Sequence, residues 1–272
     1  MLACGLAILY ALFIWWFSTG AILYLDGLPR QTFPVTILGM SVLAAAGLVA
    51  LHGARDDVSA VGAYHAFTGA LAVWALNEIT FLMGLITGPQ RAALSPETSG
   101  FARLMGACKM ILWHEAAVLV GFVAVLVATW QGANALGIET YALLWMMRLS
   151  AKINIYLGVP HTPLAFLPEQ LRYIGSAFRN SAMNSFFPLC VTLATVALAL
   201  MVERAMSAPD EGVAIRFTLL SVLMGLAILE HWFLVLPLPS ERLWKWGFKS
   251  HDQNISMQQQ KPFPEMRING SL

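Results

Sequence analysis

Three places in the chain set two polar residues, at least one of them ionisable, side by side within strongly apolar surroundings: Asn77-Glu78 in "WALNEITFL", His114-Glu115 in "ACKMILWHEAAVL" and Glu230-His231 in "AILEHWFLVLPLP". A fourth segment, "LWMMRLSAKINIYLGV", carries Arg148, Lys152 and Asn154. Three carboxylates and two imidazoles are a donor set that suits iron or manganese and could support oxidative chemistry. Intramembrane histidines can also ligate the metal of a chlorophyll or a haem. A third use is structural, because polar side chains join helices in lipid. An ionisable side chain in the membrane core costs about 2.5 to 3.5 kcal/mol on insertion scales, so each of these groups calls for a partner or a task.

The surroundings are those of a membrane protein. Of 272 residues 58% are hydrophobic and 11% charged, against roughly 25% charged in a soluble domain, and the mean hydropathy is +0.68. A spanning helix needs about 20 apolar residues. Seven such windows are present, Leu2–Leu25, Phe33–His52, Val58–Thr87, Phe101–Trp130, Ala135–Val159, Met183–Met206 and Val213–Leu238. Loops rich in Gly, Pro and charge separate them, among them "HGARDD", "GPQRAALSPETSG" and "SAPDEG". The predicted fold is an all-α, seven-helix polytopic bundle over residues 1–248, with a polar, disordered cytoplasmic tail over 249–272.

Short cytoplasmic loops are enriched in Lys and Arg. With the N-terminus periplasmic, Arg30, Arg91, Arg103, Arg172, Arg179, Arg242, Lys245, Lys249, Lys261 and Arg267 fall on the cytoplasmic side, and only Arg55, Arg204 and Arg216 opposite. That asymmetry predicts a periplasmic N-terminus and a cytoplasmic C-terminus. No basic segment or small-residue cleavage site precedes the first apolar run, which reads as a retained helix. Cys4, Cys108 and Cys190 are odd in number, lack CxxC spacing and read as small apolar filler. No Gly-rich phosphate loop, nucleophile elbow or HExxH occurs, which leaves hydrolases and nucleotide-driven functions without support, and no nucleic-acid partner is expected.

In the predicted orientation Glu78, Glu115, Arg148 and Glu230 lie about eight to twelve residues from the cytoplasmic ends of their helices, at about 1.5 Å rise per residue. Asn77, Glu78, His114, Glu115, Arg148, Lys152, Asn154, Glu230 and His231 therefore form one predicted polar layer. Arg148 and Lys152 are four residues apart, on one helix face, where each can meet a carboxylate of a neighbouring helix. Three readings of the layer stay open. One is interhelical glue. A second is a metal centre of Glu78, His114, Glu115, Glu230 and His231, against which stands the absence of the Glu-x-x-His spacing of di-iron bundles. The third is pigment ligation by His231 or His114, with Ala227 one turn before His231 leaving room for a macrocycle. His65 reads as an interhelical donor.

Two further features read structurally. Ser18, Thr19 and Gly20 allow close helix approach. "LPEQLRYIGSAFR" is predicted to form a short amphipathic helix, Leu171, Ile174 and Phe178 on one side and Arg172 and Arg179 towards headgroups, as a cytoplasmic docking surface. "SERLWKWGFK" reads as an interfacial segment.

The blocks "ALFIWWFSTGAILYLDGLPRQTF", "WALNEITFLMGLITGP", "LWMMRLSAKINIYLGVP", "FLPEQLRYIGSAFR" with "MNSFFP", and "LEHWFLVLPLP" together resemble PuhE, the photosynthetic complex assembly proteins of purple phototrophic bacteria, from about Ala11 to Trp246. The resemblance implies a multi-pass protein of the inner or intracytoplasmic photosynthetic membrane, encoded with the reaction-centre H subunit. It also implies an assembly factor for the reaction centre and its core light-harvesting antenna, with an influence on bacteriochlorophyll supply; the alternatives that the polar layer leaves are a membrane metalloenzyme acting on a tetrapyrrole or isoprenoid and a transient pigment-binding protein. Expected partners are membrane lipid and reaction-centre or antenna polypeptides or other assembly factors; bacteriochlorophyll or iron are the cofactors to test. No catalytic residue is carried over. The resemblance implies a histidine where this chain has Asn77, a departure that removes one imidazole from any metal set.

Overall fold

The structure, a computed structural model, describes residues 2–251. Seven long helices follow one another: α1 (Leu2–Asp26), α2 (Phe33–Gly53), α3 (Ala60–Leu82), α4 (Gly100–Ala128), α5 (Leu136–Leu157), α6 (Phe186–Met206) and α7 (Glu211–Phe233). Among the described residues there is no strand, only an isolated parallel bridge between Val159 and Asn180. Five helices are long and apolar enough to cross a membrane, α1, α2 (counted from Arg30), α4, α6 and α7. The other two, α3 and α5, carry Asn77, Glu78, Glu139, Arg148, Lys152 and Asn154. Several apolar helices of spanning length are consistent with a multi-pass membrane protein.

Starts follow local chemistry. Ser59 Oγ accepts the Gly62 N–H at 3.3 Å, and Asp210 Oδ1 accepts the Val213 N–H at 2.9 Å, so both α3 and α7 have side-chain caps. Two predicted ends move inward. The apolar run to Thr87 suggested one continuous helix, but α3 stops at Leu82 because Gly84 takes a left-handed conformation, φ +72°. The Leu85 N–H then bonds Thr80 O at 3.0 Å and the Gly84 N–H bonds Phe81 O at 2.8 Å, the paired bonds of a Schellman end. Helix α7 stops at Phe233 rather than Leu238, since Pro237 and Pro239 follow and the residue before a proline avoids the helical region.

The central helix is α3, which packs against α1, α2, α4, α5 and α7, while α2 and α6 lie at the periphery. Half of the most apolar window of α7 is buried in the bundle, 50%, against 17% for α2 and for α6, so the outer two present most of their surface outward. Helices α2 and α3 touch backbone to backbone at Gly47 and Gly69, where a Cβ on Gly69 would lie 2.6 Å from Gly47 O. The end of the bundle nearest the start of α3 is tied by Asn134, whose amide donates to Ala54 O, Asp57 O and Gly62 O, and by the Glu139–Arg216 pair between α5 and α7.

Two predicted surface segments turn inward. Residues 169–177 form a short amphipathic helix, as expected, and it is of the 3-10 type. With three residues per turn, Leu171, Ile174 and Ala177 share its buried face, which packs with Met110 of α4. Arg172 and Arg179 point outward as expected, but the apolar face is already covered by the protein's own core. The segment "SERLWKWGFK" closes against α1: Trp244 is 3% exposed, its Nε1 donates to Trp16 O at 2.9 Å, and Trp246 lies against Gly20. The small residues of α1 thus admit an indole rather than another helix. Of the predicted tail, Ser250 is buried and His251 bonds Asp26 at 2.7 Å, whereas 252–272 lie outside the described residues.

Candidate functional site

The early ends of α3 and α7 change where the polar layer sits. Glu78 lies four residues before the end of α3, and Glu230 three before the end of α7. By contrast Glu115 is fifteen residues into α4, and Arg148 nine from the end of α5. The groups still meet, because beyond Gly84 the chain runs on without helix alongside α4. There Thr87 O accepts the His114 N–H at 2.9 Å, Lys109 O accepts the Gln90 N–H at 3.3 Å, and Gly88 is pressed against the α4 backbone at Lys109 and Met110. Irregular backbone at membrane depth is tolerated where protein or water satisfies it.

Two ion pairs form the heart of the layer. Arg148 Nη2 donates to Glu78 Oε2 at 2.8 Å, and Lys152 Nζ to Glu115 Oε1 at 2.6 Å. The four-residue spacing on α5 serves two helices at once, Arg148 reaching α3 and Lys152 reaching α4. Glu115 also accepts the Trp145 indole N–H at 3.2 Å. The Glu78 side chain is 8% exposed and that of Arg148 44%, so the carboxylate is enclosed while the guanidinium is half open. Asn77 is buried beside this pair and donates to Tyr141 OH at 2.8 Å, and Tyr141 in turn donates to Val118 O at 2.9 Å. That chain joins α3, α5 and α4 and depends on Gly121, where a Cβ would collide with the Tyr141 hydroxyl. Tyr141 and Trp145 belong to the site although they look like ordinary aromatic core in the sequence; only their place one and two turns before Arg148 on α5 hinted at it.

The α7 pair faces two ways, since neighbours on a helix diverge by about 100°. Glu230 points to α1, where Trp15 Nε1 donates to Oε1 at 2.9 Å. His231 points to α5 and is 2% exposed. Its Nδ1 lies 2.8 Å from Ala227 O, which can only accept, so Nδ1 carries the proton. Its Nε2 then accepts from Ser150 Oγ at 3.0 Å. The Ala227 carbonyl thus accepts the Nδ1–H hydrogen bond, and both nitrogens of His231 have protein partners. Asn154, placed in the same layer by the sequence, donates to Ser150 O and to Cys190 Sγ. Its carbonyl oxygens accept from Asn184, whose own Oδ1 takes the Phe186 and Phe187 N–H groups at the start of α6. Asn184 is thus a joint of α5 and α6 that its loop position did not reveal.

His114 differs from these. It is 1% exposed, its ring lies 4.3 Å from that of Phe81, and Nδ1 has no protein partner. Glu78, Glu115, Arg148 and Lys152 are all within electrostatic reach of it. Phe81 covers one face of the ring. Among the described residues no three His, Cys, Asp or Glu side chains converge as a metal-holding group. The five candidate ligands Glu78, His114, Glu115, Glu230 and His231 are parted, two carboxylates by the cations that bind them and the α7 pair by its divergence.

The chain matches the family described as "Protein of unknown function (DUF3623)" over residues 1–255. It belongs to this family. It is also 40% identical, over 249 residues, to the "Uncharacterized 30.4 kDa protein in puhA 5'region" of Rhodobacter capsulatus, with 90% of this chain and 91% of the relative covered. No solved structure matches significantly. The match extends past both limits of the blocks that carry the resemblance, Ala11 and Trp246, and takes in α1 from its start and the segment that folds back on it.

Proposed function

We propose that this member of the family is an integral-membrane assembly factor of the PuhE kind, serving the photosynthetic reaction centre and its core antenna and influencing bacteriochlorophyll supply. In this reading all seven helices cross the inner or intracytoplasmic membrane, N-terminus periplasmic and C-terminus cytoplasmic, α3 and α5 being admitted because their charges face each other. One observation carries it: the carboxylates Glu78 and Glu115 are held by Arg148 and Lys152, and Glu230 by Trp15, an arrangement that orients helices against one another. The relative's place in the puhA 5' region supports the setting, puhA being a reaction-centre gene. Ionic contacts inside a bundle specify which helices meet, which is what a scaffold for other membrane polypeptides requires.

The test is deletion of the gene in a phototrophic host, followed by pulse-chase of reaction-centre and core-antenna complexes, with affinity capture of the tagged full-length chain from mild detergent. The expected result is several-fold slower assembly at unchanged transcript levels and capture of reaction-centre or antenna polypeptides with the chain. Unchanged assembly, or near-stoichiometric iron or manganese in the purified protein, would overturn it.

A further inference from the structure

Three buried polar atoms, on residues that are neighbours in the bundle, have no protein partner: Glu78 Oε1, His114 Nδ1 and Thr87 Oγ1. All three residues are closed to solvent, at 6%, 1% and 1% exposure. Thr87 is fixed beside His114 by the 2.9 Å bond from the His114 N–H to Thr87 O. Glu78 is within electrostatic reach of His114, and Phe81, nearly one turn further along α3, stacks on the imidazole. The three atoms therefore border the junction of the α3 end, the segment running from Gly84 to Gln90 and the middle of α4.

Buried polar groups in native proteins almost always have partners, so unpaired atoms on neighbouring residues call for an occupant. Its chemistry follows from what they offer. A carboxylate oxygen can only accept, a threonine hydroxyl can donate and accept, and a ring nitrogen does one or the other. A cation is disfavoured by Arg148 and Lys152, both within reach of His114, and an anion by Glu78. A neutral group with two donors and two acceptors suits all three. We propose that an ordered water molecule bridges Glu78, His114 and Thr87, and that it locks the non-helical segment after Gly84 onto α4. Buried waters commonly make about three hydrogen bonds to groups that lack other partners. Such a water gives irregular backbone at this depth the satisfaction it needs, and it makes the segment part of the bundle rather than a free loop.

The test uses the full chain in phospholipid nanodiscs, with ¹⁵N-histidine labelling and water-edited solid-state NMR. Transfer of water polarisation to a ring nitrogen of His114 is expected, despite its burial, together with at least a threefold loss of that transfer in Thr87→Val. Amide exchange of Leu85 and Ile86 should quicken at least tenfold in the same variant. Absence of transfer to His114 in the wild type, while exposed His52 shows it, would overturn the proposal. Transfer unchanged in Thr87→Val would equally overturn a site that includes Thr87. If Thr87→Val does not fold, the wild-type spectrum alone decides whether water reaches the ring.

Discussion

Replacing Arg148 by Gln tests the ion pair that holds the buried Glu78 carboxylate. The substitution keeps a long polar side chain but removes the charge that meets Glu78 Oε2 at 2.8 Å. Glu78 is left 8% exposed, with its other oxygen already lacking a protein partner. Breaking a buried ion pair from one side typically costs about 3 to 5 kcal/mol, because the remaining charge stays desolvated. Two considerations hold the figure near the low end. The Arg148 side chain is 44% exposed, so solvent screens part of the pair. The abandoned carboxyl can also take up a proton, which for a reference value of about 4.3 costs about 3.7 kcal/mol at pH 7 and acts as a ceiling. We therefore expect about 3 kcal/mol, or roughly a hundredfold shift in the folded population at about 1.4 kcal/mol per decade. Glu78→Gln should cost less, about 1 to 2 kcal/mol, because the half-open guanidinium can find water or Glu230. The double variant Glu78→Gln with Arg148→Gln should lie closer to wild type than Arg148→Gln alone. The assay is reversible unfolding of the purified chain in mixed micelles, read by tryptophan fluorescence, for all four proteins. Wild-type stability in Arg148→Gln, or a double variant as unstable as that single one, would refute the view that an uncompensated Glu78 charge dominates.

Gly69→Val should disrupt the α2–α3 contact, since a Cβ there would lie 2.6 Å from Gly47 O and 2.9 Å from the Leu51 side chain; loss of about 2 kcal/mol or more is expected, checked by the yield of monodisperse protein on size exclusion. Asn184→Ala removes the acceptor of the Phe186 and Phe187 N–H groups and the donor to Gly158 O at 2.7 Å, and should cost about 1 to 3 kcal/mol. Faster amide exchange at 186 and 187 than elsewhere in α6 would report it. In the turn between α2 and α3, the hydroxyl and N–H of Ser59 hold the Asp57 carboxyl below its ordinary value of 3.8. A group whose folded value is depressed stabilises the fold above its unfolded value and loses that contribution as pH falls through the folded one. The start of α3 should therefore loosen only below about pH 4, and Asp57→Asn should abolish that acid step in pH-resolved amide exchange of residues 59–62.

Composition and spacing were enough to determine an all-helical chain, the number and approximate limits of its long helices, and which residues would break the apolar rule. They also placed Arg148 and Lys152 on one face, which is why α5 can neutralise α3 and α4 together. Apolarity is a poor guide to where a helix stops: Leu85 and Ile86 continue the hydrophobic run, and only the backbone conformation at Gly84 decides that α3 ends at Leu82. The amphipathic pattern of residues 169–177 likewise could not say whether its apolar side faces lipid or protein, nor that its period would be three. Partner choice was the third matter left to the tertiary structure. Sequence separation says nothing of lateral position, so only the packed bundle sends Glu230 to Trp15, closes both nitrogens of His231 on Ser150 and Ala227, and leaves His114 enclosed without a protein partner at Nδ1. The carboxylates and imidazoles visible in the chain as one donor set are divided by packing among separate partners, because helix neighbours diverge in direction and α5 supplies a cation to each of Glu78 and Glu115.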